Sequence, residues 1–256
     1  MQRAGGLIGA AIALLALWQP GGAPAAGEPA FGCGHVHTAE AQRNPYGPDD
    51  GPPPIAIGDS TMLLPIPDLT RIGLDVNAKG CRGFKQSIWV ARDLRNQGIL
   101  PRLILINAYG NGGVNQELIK FALKVIGPRR TLVLVTAYNA DTGEPPAPDT
   151  DVLVQAAKDH PDQIKLLDWV RYSLPHHKVE PAPGAWFLPD LFHPNFTGAH
   201  AYASFLAQVL PGGVPGSEQK SSNDGTPWWP FALVAAFLLA FAGFLLYGRR
   251  LRPGRR

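Results

Sequence analysis

The sequence has 256 residues, 45% of them hydrophobic, and a formal net charge of +3 at pH 7; this length accommodates one or two domains. All 20 acidic residues lie within 27–226, whereas six of the 23 basic residues, Arg3 and five arginines in 248–256, lie outside that region. The region 27–226 is therefore net acidic, which argues against a nucleic-acid-binding surface, and it carries no basic stripe with interleaved aromatic residues.

The N-terminus contains an apolar stretch (6–18) between Arg3 and the small residues 23–25. A basic start, a short apolar core and an Ala-x-Ala site are typical of a secretory signal peptide. The apolar core is short for a membrane span, so an uncleaved anchor is the less favoured alternative. We therefore predict a signal peptide over residues 1–26.

Residues 27–54 are predicted to form an extended lead-in that contains Cys33, one of the two cysteines of the chain. Export places Cys33 and Cys81 in an oxidising compartment, where they have one possible intramolecular pairing. We predict this disulfide, with two buried free thiols as the alternative. Cys33, His35 and His37 also suggest a metal site, but a structural zinc takes four ligands and no fourth is evident, so no metal is predicted.

From residue 55 onward, short apolar runs alternate with helix-like segments. This alternation predicts one α/β domain over 55–210, with about five parallel strands and helices on both faces in an αβα arrangement. The predicted strands are 55–58, 72–76, 102–107, 131–136 and 164–167, and the predicted helices are 84–97, 114–126, 151–159 and about 198–210.

A candidate catalytic group is formed by Ser60, which follows the first strand, and by Asp190 and His193 near the end of the domain. A serine hydroxyl becomes a good nucleophile when an adjacent base takes its proton and a third group orients that base. We therefore predict Ser60 as nucleophile, His193 as base and Asp190 as its orienting carboxylate. The alternative is that Ser60 and Asp190 only cap helices.

The Gly-Asp-Ser motif (58–60) and the later Asp-Leu-Phe-His-Pro motif (190–194) resemble the outer motifs of SGNH, or GDSL-type, hydrolases and acyltransferases. The resemblance covers roughly residues 52–212 and is strongest with the extracellular SGNH domains of peptidoglycan O-acetyltransferases, including the Leu-Leu-Asp-Trp run (166–169). It implies a flavodoxin-like, three-layer αβα fold and acyl-serine chemistry that needs no cofactor.

The resemblance also implies an oxyanion hole, built from the backbone N–H of Ser60, a backbone N–H of a second motif and an asparagine of a third. In the second motif the donor is Gly80 or Cys81, depending on the alignment, and we predict Gly80. In the third motif we predict Asn111, because Asn107 lies within the strand-like run rather than beyond it. The alternative for Asn111 is a turn residue among glycines.

Two further expectations concern the surroundings of the site. The loop 139–150 is long for a connection in an α/β domain and is expected to border the site. The histidines at positions 160, 176, 177 and 200 are expected to be surface or helix-end residues.

The C-terminus contains a second candidate membrane segment. Residues 211–227 are rich in Gly, Pro and Ser and predict a flexible linker. Residues 228–247 carry no charge over about 20 residues, the length that crosses a bilayer, and the arginines of 248–256 favour the cytoplasmic side. We predict a transmembrane helix at 228–247 and an extracytoplasmic catalytic domain; a buried core helix and a processed sorting tail are the alternatives.

Together these features predict an exported, membrane-anchored serine esterase that acts on an O-acyl ester, by resemblance an acetyl ester, of a cell-envelope carbohydrate. One alternative is an O-acetyltransferase to an envelope glycan, which would work with a separate membrane acyl-donor protein. The other is a non-catalytic carbohydrate-binding or assembly subunit with a degenerate SGNH fold, which the one-residue shift of glycine in the third motif (109–111) favours.

Overall fold

The computed structural model of the protein describes residues 32–108 and 110–213. The predicted signal peptide (1–26), the transmembrane helix (228–247) and the basic tail (248–256) lie outside the described residues. Among the helices of the described part, none combines the length and the apolar character that a membrane span requires.

The described residues contain a six-stranded, mostly parallel sheet. Its strands are β1 (Val36–Ala39), β2 (Ile55–Gly58), β3 (Asp75–Lys79), β4 (Leu103–Asn107), β5 (Thr131–Val135) and β6 (Ile164–Leu167). They lie in the order β1-β3-β2-β4-β5-β6, with β1 antiparallel to β3 and all other neighbours parallel. The predicted parallel sheet is thus confirmed, and an antiparallel edge strand is added to it.

Helices cover both faces of the sheet. They are α1 (Ile66–Ile72), α2 (Phe84–Asn96), α3 (Gln116–Ile126), α4 (Thr150–Asp159), α5 (Trp169–Ser173) and α6 (Phe196–Leu206). Helices α2, α3 and α4 share one apolar cluster with Ile55 and Ile57, whereas α1, α5 and α6 share the other with Ala56. The central strands are continuously apolar because both of their faces are buried.

The segment around Gly73 differs from its prediction. The run 72–76 was expected to be a strand, but α1 extends to Ile72 and β3 begins at Asp75. Gly73 ends α1 in the left-handed conformation, with φ 102°, which glycine adopts without the steric cost that a Cβ brings. Pro67 in the first turn of α1 favours its start.

Part of the predicted N-terminal lead-in belongs to the sheet. β1 pairs with β3, from Val36 opposite Lys79 to Ala39 opposite Val76. Just before β1, the structure joins Cys33 to Cys81 by the disulfide that the sequence predicts. Among the described residues, no group of three or more His, Cys, Asp or Glu side chains is placed to hold a metal ion.

The strand order places a crevice at the carboxyl ends of the central strands. The chain passes from β2 to β3 on one side of β2, and then returns to β4 on its other side. In open α/β sheets, ligands bind at such a reversal of strand order, outside the carboxyl ends. The residues that follow β2, β3 and β4 therefore surround the candidate site.

Candidate active site

Ser60 lies on a tight turn that the end of β2 imposes. The backbone N–H of Asp59 continues the ladder to β4 by donating to the carbonyl of Asn107 at 3.1 Å. Residues Ser60–Met62 then form a single 3₁₀ turn, and the Asp59 carboxylate caps it by accepting from the Thr61 N–H at 2.9 Å. This turn holds Ser60 at the edge of the crevice with 5% of its surface exposed.

Gly58 is required by the same turn. A Cβ at position 58 would lie 2.2 Å from Sδ of Met62, whose side chain folds back beneath the end of β2. The glycine of the Gly-Asp-Ser motif therefore has a packing reason that is independent of chemistry.

His193 and Asp190 meet Ser60 in one hydrogen-bonded chain. Nε2 of His193 lies 2.8 Å from Oγ of Ser60, and Nδ1 of His193 lies 2.6 Å from Oδ2 of Asp190. Residues 133 positions apart in the sequence are thus in direct contact. The structure brings together the three side chains that the motifs single out.

The protonation of this chain follows from the Asp190 carboxylate. Partial burial opposes its ionisation, but hydrogen bonds from the His193 ring and from the backbone N–H groups of His193 and Phe192 lower the pKa of Asp190 to about 2. An ionised carboxylate only accepts hydrogen bonds, so Nδ1 of His193 carries a hydrogen. In the neutral imidazole with this tautomer, Nε2 is the acceptor for the Ser60 hydroxyl, as a general base must be.

A buried polar group lies behind the serine. Asp59 is 1% exposed, and burial raises the pKa of its carboxyl, against the opposing influence of the Thr61 hydrogen bonds and of nearby His193 and Arg82. The Arg82 guanidinium donates to the carbonyl of Gly58 at 3.1 Å and to Oδ1 of Asn77 at 2.6 Å. Burial lowers the pKa of Arg82 to about 10, so it remains a cation that fixes the end of β2.

The predicted oxyanion residues lie in loops that follow β3 and β4. Gly80 follows β3 directly and is buried, whereas Cys81 adopts a left-handed conformation with φ 58° and enters the disulfide. Nδ2 of Asn111 donates to Oδ2 of Asp59 at 3.3 Å. The two loops lie close together. No side chain fits at Gly83, since its Cβ would lie 2.8 Å from the carbonyl oxygen of Asn111.

Asn107, the fallback for Asn111, occupies a different environment. It is 2% exposed, and its amide donates to Oγ1 of Thr61 at 3.2 Å and to the hydroxyl of Tyr202 at 2.7 Å. These contacts direct the Asn107 side chain toward α6, whereas Asn111 lies beside the Asp59 carboxylate. An amide group has two hydrogens, so Asn111 can hold Asp59 with one and offer the other to a substrate oxygen.

The segment carrying Asp190 and His193 is enclosed by its neighbours. The backbone of Gly143, in the predicted bordering loop, is so close that a Cβ there would lie 2.6 Å from the Asp190 carbonyl. Beyond His193, Asn195 caps α6 and donates from Nδ2 to the carbonyl of Ala185 at 3.0 Å. The expectation that loop 139–150 lies beside the predicted site residues agrees with this placement.

Two of the histidines that were expected to be surface or helix-end residues lie at the end of a short 3₁₀ turn, Leu174–His176, which His177 caps. The ring of His176 stacks on Trp186 at 3.8 Å between centroids, and the ring of His177 stacks on Tyr138 at 4.1 Å. The expectation that these two residues lie at the surface or at a helix end is therefore confirmed; the structure adds the aromatic partners, which a position at a helix end does not reveal. His160 ends α4 and is exposed, as expected.

Neither a protein-family model nor a curated protein matches the chain. Solved structures similar to it include the C-terminal catalytic domain of peptidoglycan O-acetyltransferase A from Streptococcus pneumoniae, determined with a methylsulfonyl adduct. That domain shares 23% identity, with 63% of this chain and 93% of that chain covered and a TM-score of 0.46.

Two further structures are similar at lower identity. A member of the lipolytic G-D-S-L family from Veillonella parvula shares 16% identity, covering 61% of this chain and 96% of that chain, with a TM-score of 0.44. A two-domain esterase active on acetylated mannans shares 12% identity, covering 64% of this chain and 50% of that chain, with a TM-score of 0.42.

The fold and the site define an α/β protein in which a serine, a histidine and an aspartate share one hydrogen-bonded chain at the carboxyl end of a parallel sheet. One of the similar structures carries the G-D-S-L family name. These similarities concern the fold, and the chemistry of the site is argued from Ser60, His193 and Asp190 themselves.

Proposed function

We propose that the protein is a serine esterase that works through an acyl-serine intermediate on an O-acyl, and specifically an acetyl, ester of a cell-envelope carbohydrate. The supporting observation is the 2.8 Å contact between Nε2 of His193 and Oγ of Ser60, with Asp190 on the other ring nitrogen. Two hydrogen bonds in this order are what a nucleophile, its base and an orienting group require.

The reaction starts with attack by Ser60. Its Oγ forms a bond to the ester carbonyl carbon while His193 takes the hydroxyl proton at Nε2. The bond to the carbohydrate oxygen then breaks, and His193 returns the proton to that oxygen. Water then attacks the acyl-serine while His193 takes its proton, the bond between the carbonyl carbon and Oγ of Ser60 breaks, and His193 returns the proton to Oγ as the carboxylic acid leaves.

The negative charge that develops on the carbonyl oxygen needs hydrogen-bond donors. In this proposal the backbone N–H groups of Ser60 and Gly80 and the amide of Asn111 supply them. Donors that are already oriented toward such a charge are usually the largest single contribution to catalysis, because they need no reorganisation during the reaction.

The location of the reaction is part of the proposal. The N-terminal segment 1–26 supports export, and the uncharged segment 228–247 with its arginines supports anchoring of an extracytoplasmic catalytic domain. The predicted carbohydrate substrate rests on the motif resemblance. The same resemblance is compatible with an O-acetyltransferase that transfers the acyl group to a glycan and works with a membrane acyl-donor protein.

The test uses the full-length protein in detergent with an aryl acetate and a fluorophosphonate probe. We expect turnover of the acetate and covalent labelling at Ser60, detected by mass spectrometry, and neither in Ser60→Ala. Absence of labelling at Ser60 in the wild-type protein would support a non-catalytic carbohydrate-binding or assembly subunit. If Ser60 is reactive, unlabelled wild-type protein is then given the aryl acetate together with an envelope glycan; faster release of the aryl product, with the acetyl group found on the glycan, would identify a transferase.

A further inference from the structure

The segment between Asp190 and His193 contains a strained residue. Leu191 has φ 56°, in the left-handed region that is sterically unfavourable for a residue with a Cβ. This turn allows Oδ1 of Asp190 to accept from the backbone N–H groups of Phe192 and His193, each at 3.0 Å. The position of His193 against Ser60 thus depends on a conformation that neighbouring contacts have to maintain.

One of those contacts comes from His177. Its Nε2 lies 2.9 Å from the carbonyl oxygen of Leu191. Because a carbonyl only accepts, Nε2 of His177 carries the hydrogen and donates it. This is a hydrogen bond from outside the segment to the residue whose conformation is strained.

The ring of His177 is itself fixed by packing. It stacks on Tyr138 with an interplanar angle of 9° and meets Phe187 edge to face at 5.0 Å. Tyr138 is 1% exposed, and its hydroxyl lies 2.9 Å from Oγ of Ser173. The hydrogen-bond donor at His177 is therefore presented by an aromatic group anchored in the core.

We propose that His177 is a positioning residue for the reaction: its hydrogen bond to Leu191 fixes the segment that places Asp190 and His193 against Ser60. This inference rests on the proposed acyl-serine function. His177 does not touch the reacting atoms, so its loss affects turnover and not substrate binding. A displacement of about 1 Å in such a segment can cost on the order of a hundredfold in rate.

The neighbouring residue provides a matched control. His176 also stacks on an aromatic ring, that of Trp186, and also makes a hydrogen bond to a backbone carbonyl, with Nδ1 2.9 Å from the oxygen of Gly184. Phenylalanine at either position keeps a stacked ring and removes one hydrogen bond. The two variants differ in that only His177 contacts the segment 190–193.

The experiment compares His177→Phe with His176→Phe in the full-length protein. We expect His177→Phe to lower kcat for an aryl acetate by about 10- to 100-fold with KM unchanged, and His176→Phe to stay within about twofold of wild type. His177→Gln, which retains an N–H donor, should recover part of the loss. The NMR signal of the His193 Nδ1 hydrogen should shift in His177→Phe and stay in place in His176→Phe.

Equal kcat values and equal NMR signals in the two phenylalanine variants would overturn the positioning role. A loss of kcat that follows the loss of thermal stability equally in both variants would also overturn it. If His177→Phe does not fold, His177→Met replaces it as a variant without a donor. A wild-type protein that the fluorophosphonate does not label would instead overturn the proposed function, and the NMR comparison would still decide whether His177 positions His193.

Discussion

Replacement of Asp190 by asparagine separates the two roles that the structure gives to this carboxylate. Oδ1 accepts two backbone N–H groups at 3.0 Å, which an asparagine oxygen can also do. Oδ2 faces Nδ1 of His193 at 2.6 Å, where an amide would present its NH₂ group. Asp190→Asn should therefore preserve the turn and remove the contact that fixes the tautomer of His193.

The expected effect on the rate is large. When the ring hydrogen of His193 is no longer held on Nδ1, Nε2 is no longer kept free to accept the Ser60 proton. We expect kcat to fall on the order of 10³- to 10⁴-fold, as in other serine catalysts that lose this carboxylate. The measurement is the hydrolysis of an aryl acetate by the full-length protein.

The expected effect on stability is small and depends on pH. A pKa lowered from 3.8 to about 2 corresponds to at most about 2 kcal/mol. Because 47% of the Asp190 side chain is exposed, solvent screening reduces this to about 1 kcal/mol. Since the folded-state pKa is the lower one, this stability is present above pH 4 and is lost as the pH falls toward 2.

The control is Asp168→Asn, because Asp168 is also an exposed carboxylate and caps α5 by accepting from the Arg171 N–H at 3.1 Å. Asparagine caps helices as well as aspartate does, so full activity is expected. Denaturant unfolding followed by tryptophan fluorescence at pH 7, 4 and 2.5 measures the stability difference. An Asp190→Asn protein that keeps kcat within tenfold of wild type would refute the proposed role of Asp190.

Three further predictions concern the surroundings of the site. Asn111→Ala should lower kcat on the order of 10²- to 10³-fold in the aryl acetate assay, because one oxyanion donor is lost; an effect below threefold would exclude that role. Gly143→Ala should lower kcat at least tenfold, since its Cβ would lie 2.6 Å from the Asp190 carbonyl, whereas Gly98→Ala, equally left-handed but in open space, should retain full activity. Cys81→Ser should destabilise the fold by about 4 kcal/mol in denaturant titrations, the chain-entropy value for a disulfide across 48 residues; an unchanged midpoint would show that the disulfide contributes nothing.

The central strands could be predicted because their sequence pattern and their environment agree. Strand β4 is buried at every position, and its Leu-Ile-Leu-Ile run is typical of a strand that is buried on both faces. The outer motifs could be predicted because a serine after a strand and an Asp-x-x-His pair are local patterns. The catalytic roles inferred from them stay predictions until turnover is measured.

Other features could not be predicted because distant contacts decide them. Three of the four residues of β1 are exposed, and its Val-His-Thr-Ala sequence lacks the apolar pattern that predicts a buried strand. Its place in the sheet comes from pairing with β3, next to the disulfide. The contact of His177 with Leu191 joins two loops through stacking on Tyr138, a residue from a third segment. No local spacing encodes such an arrangement.

The two halves of the site are held by different kinds of contact, and this has a consequence for how substitutions act. Ser60 follows β2, where Gly58 packs on Met62 and Asp59 is buried, so changes there disturb the sheet core as well as the nucleophile. His193 lies on a segment that packs on the core through Phe192 and whose turn is held by hydrogen bonds to Asp190 and Leu191. Substitutions that remove only those hydrogen bonds should therefore reduce turnover while the protein stays folded, whereas substitutions behind Ser60 should reduce turnover and stability together.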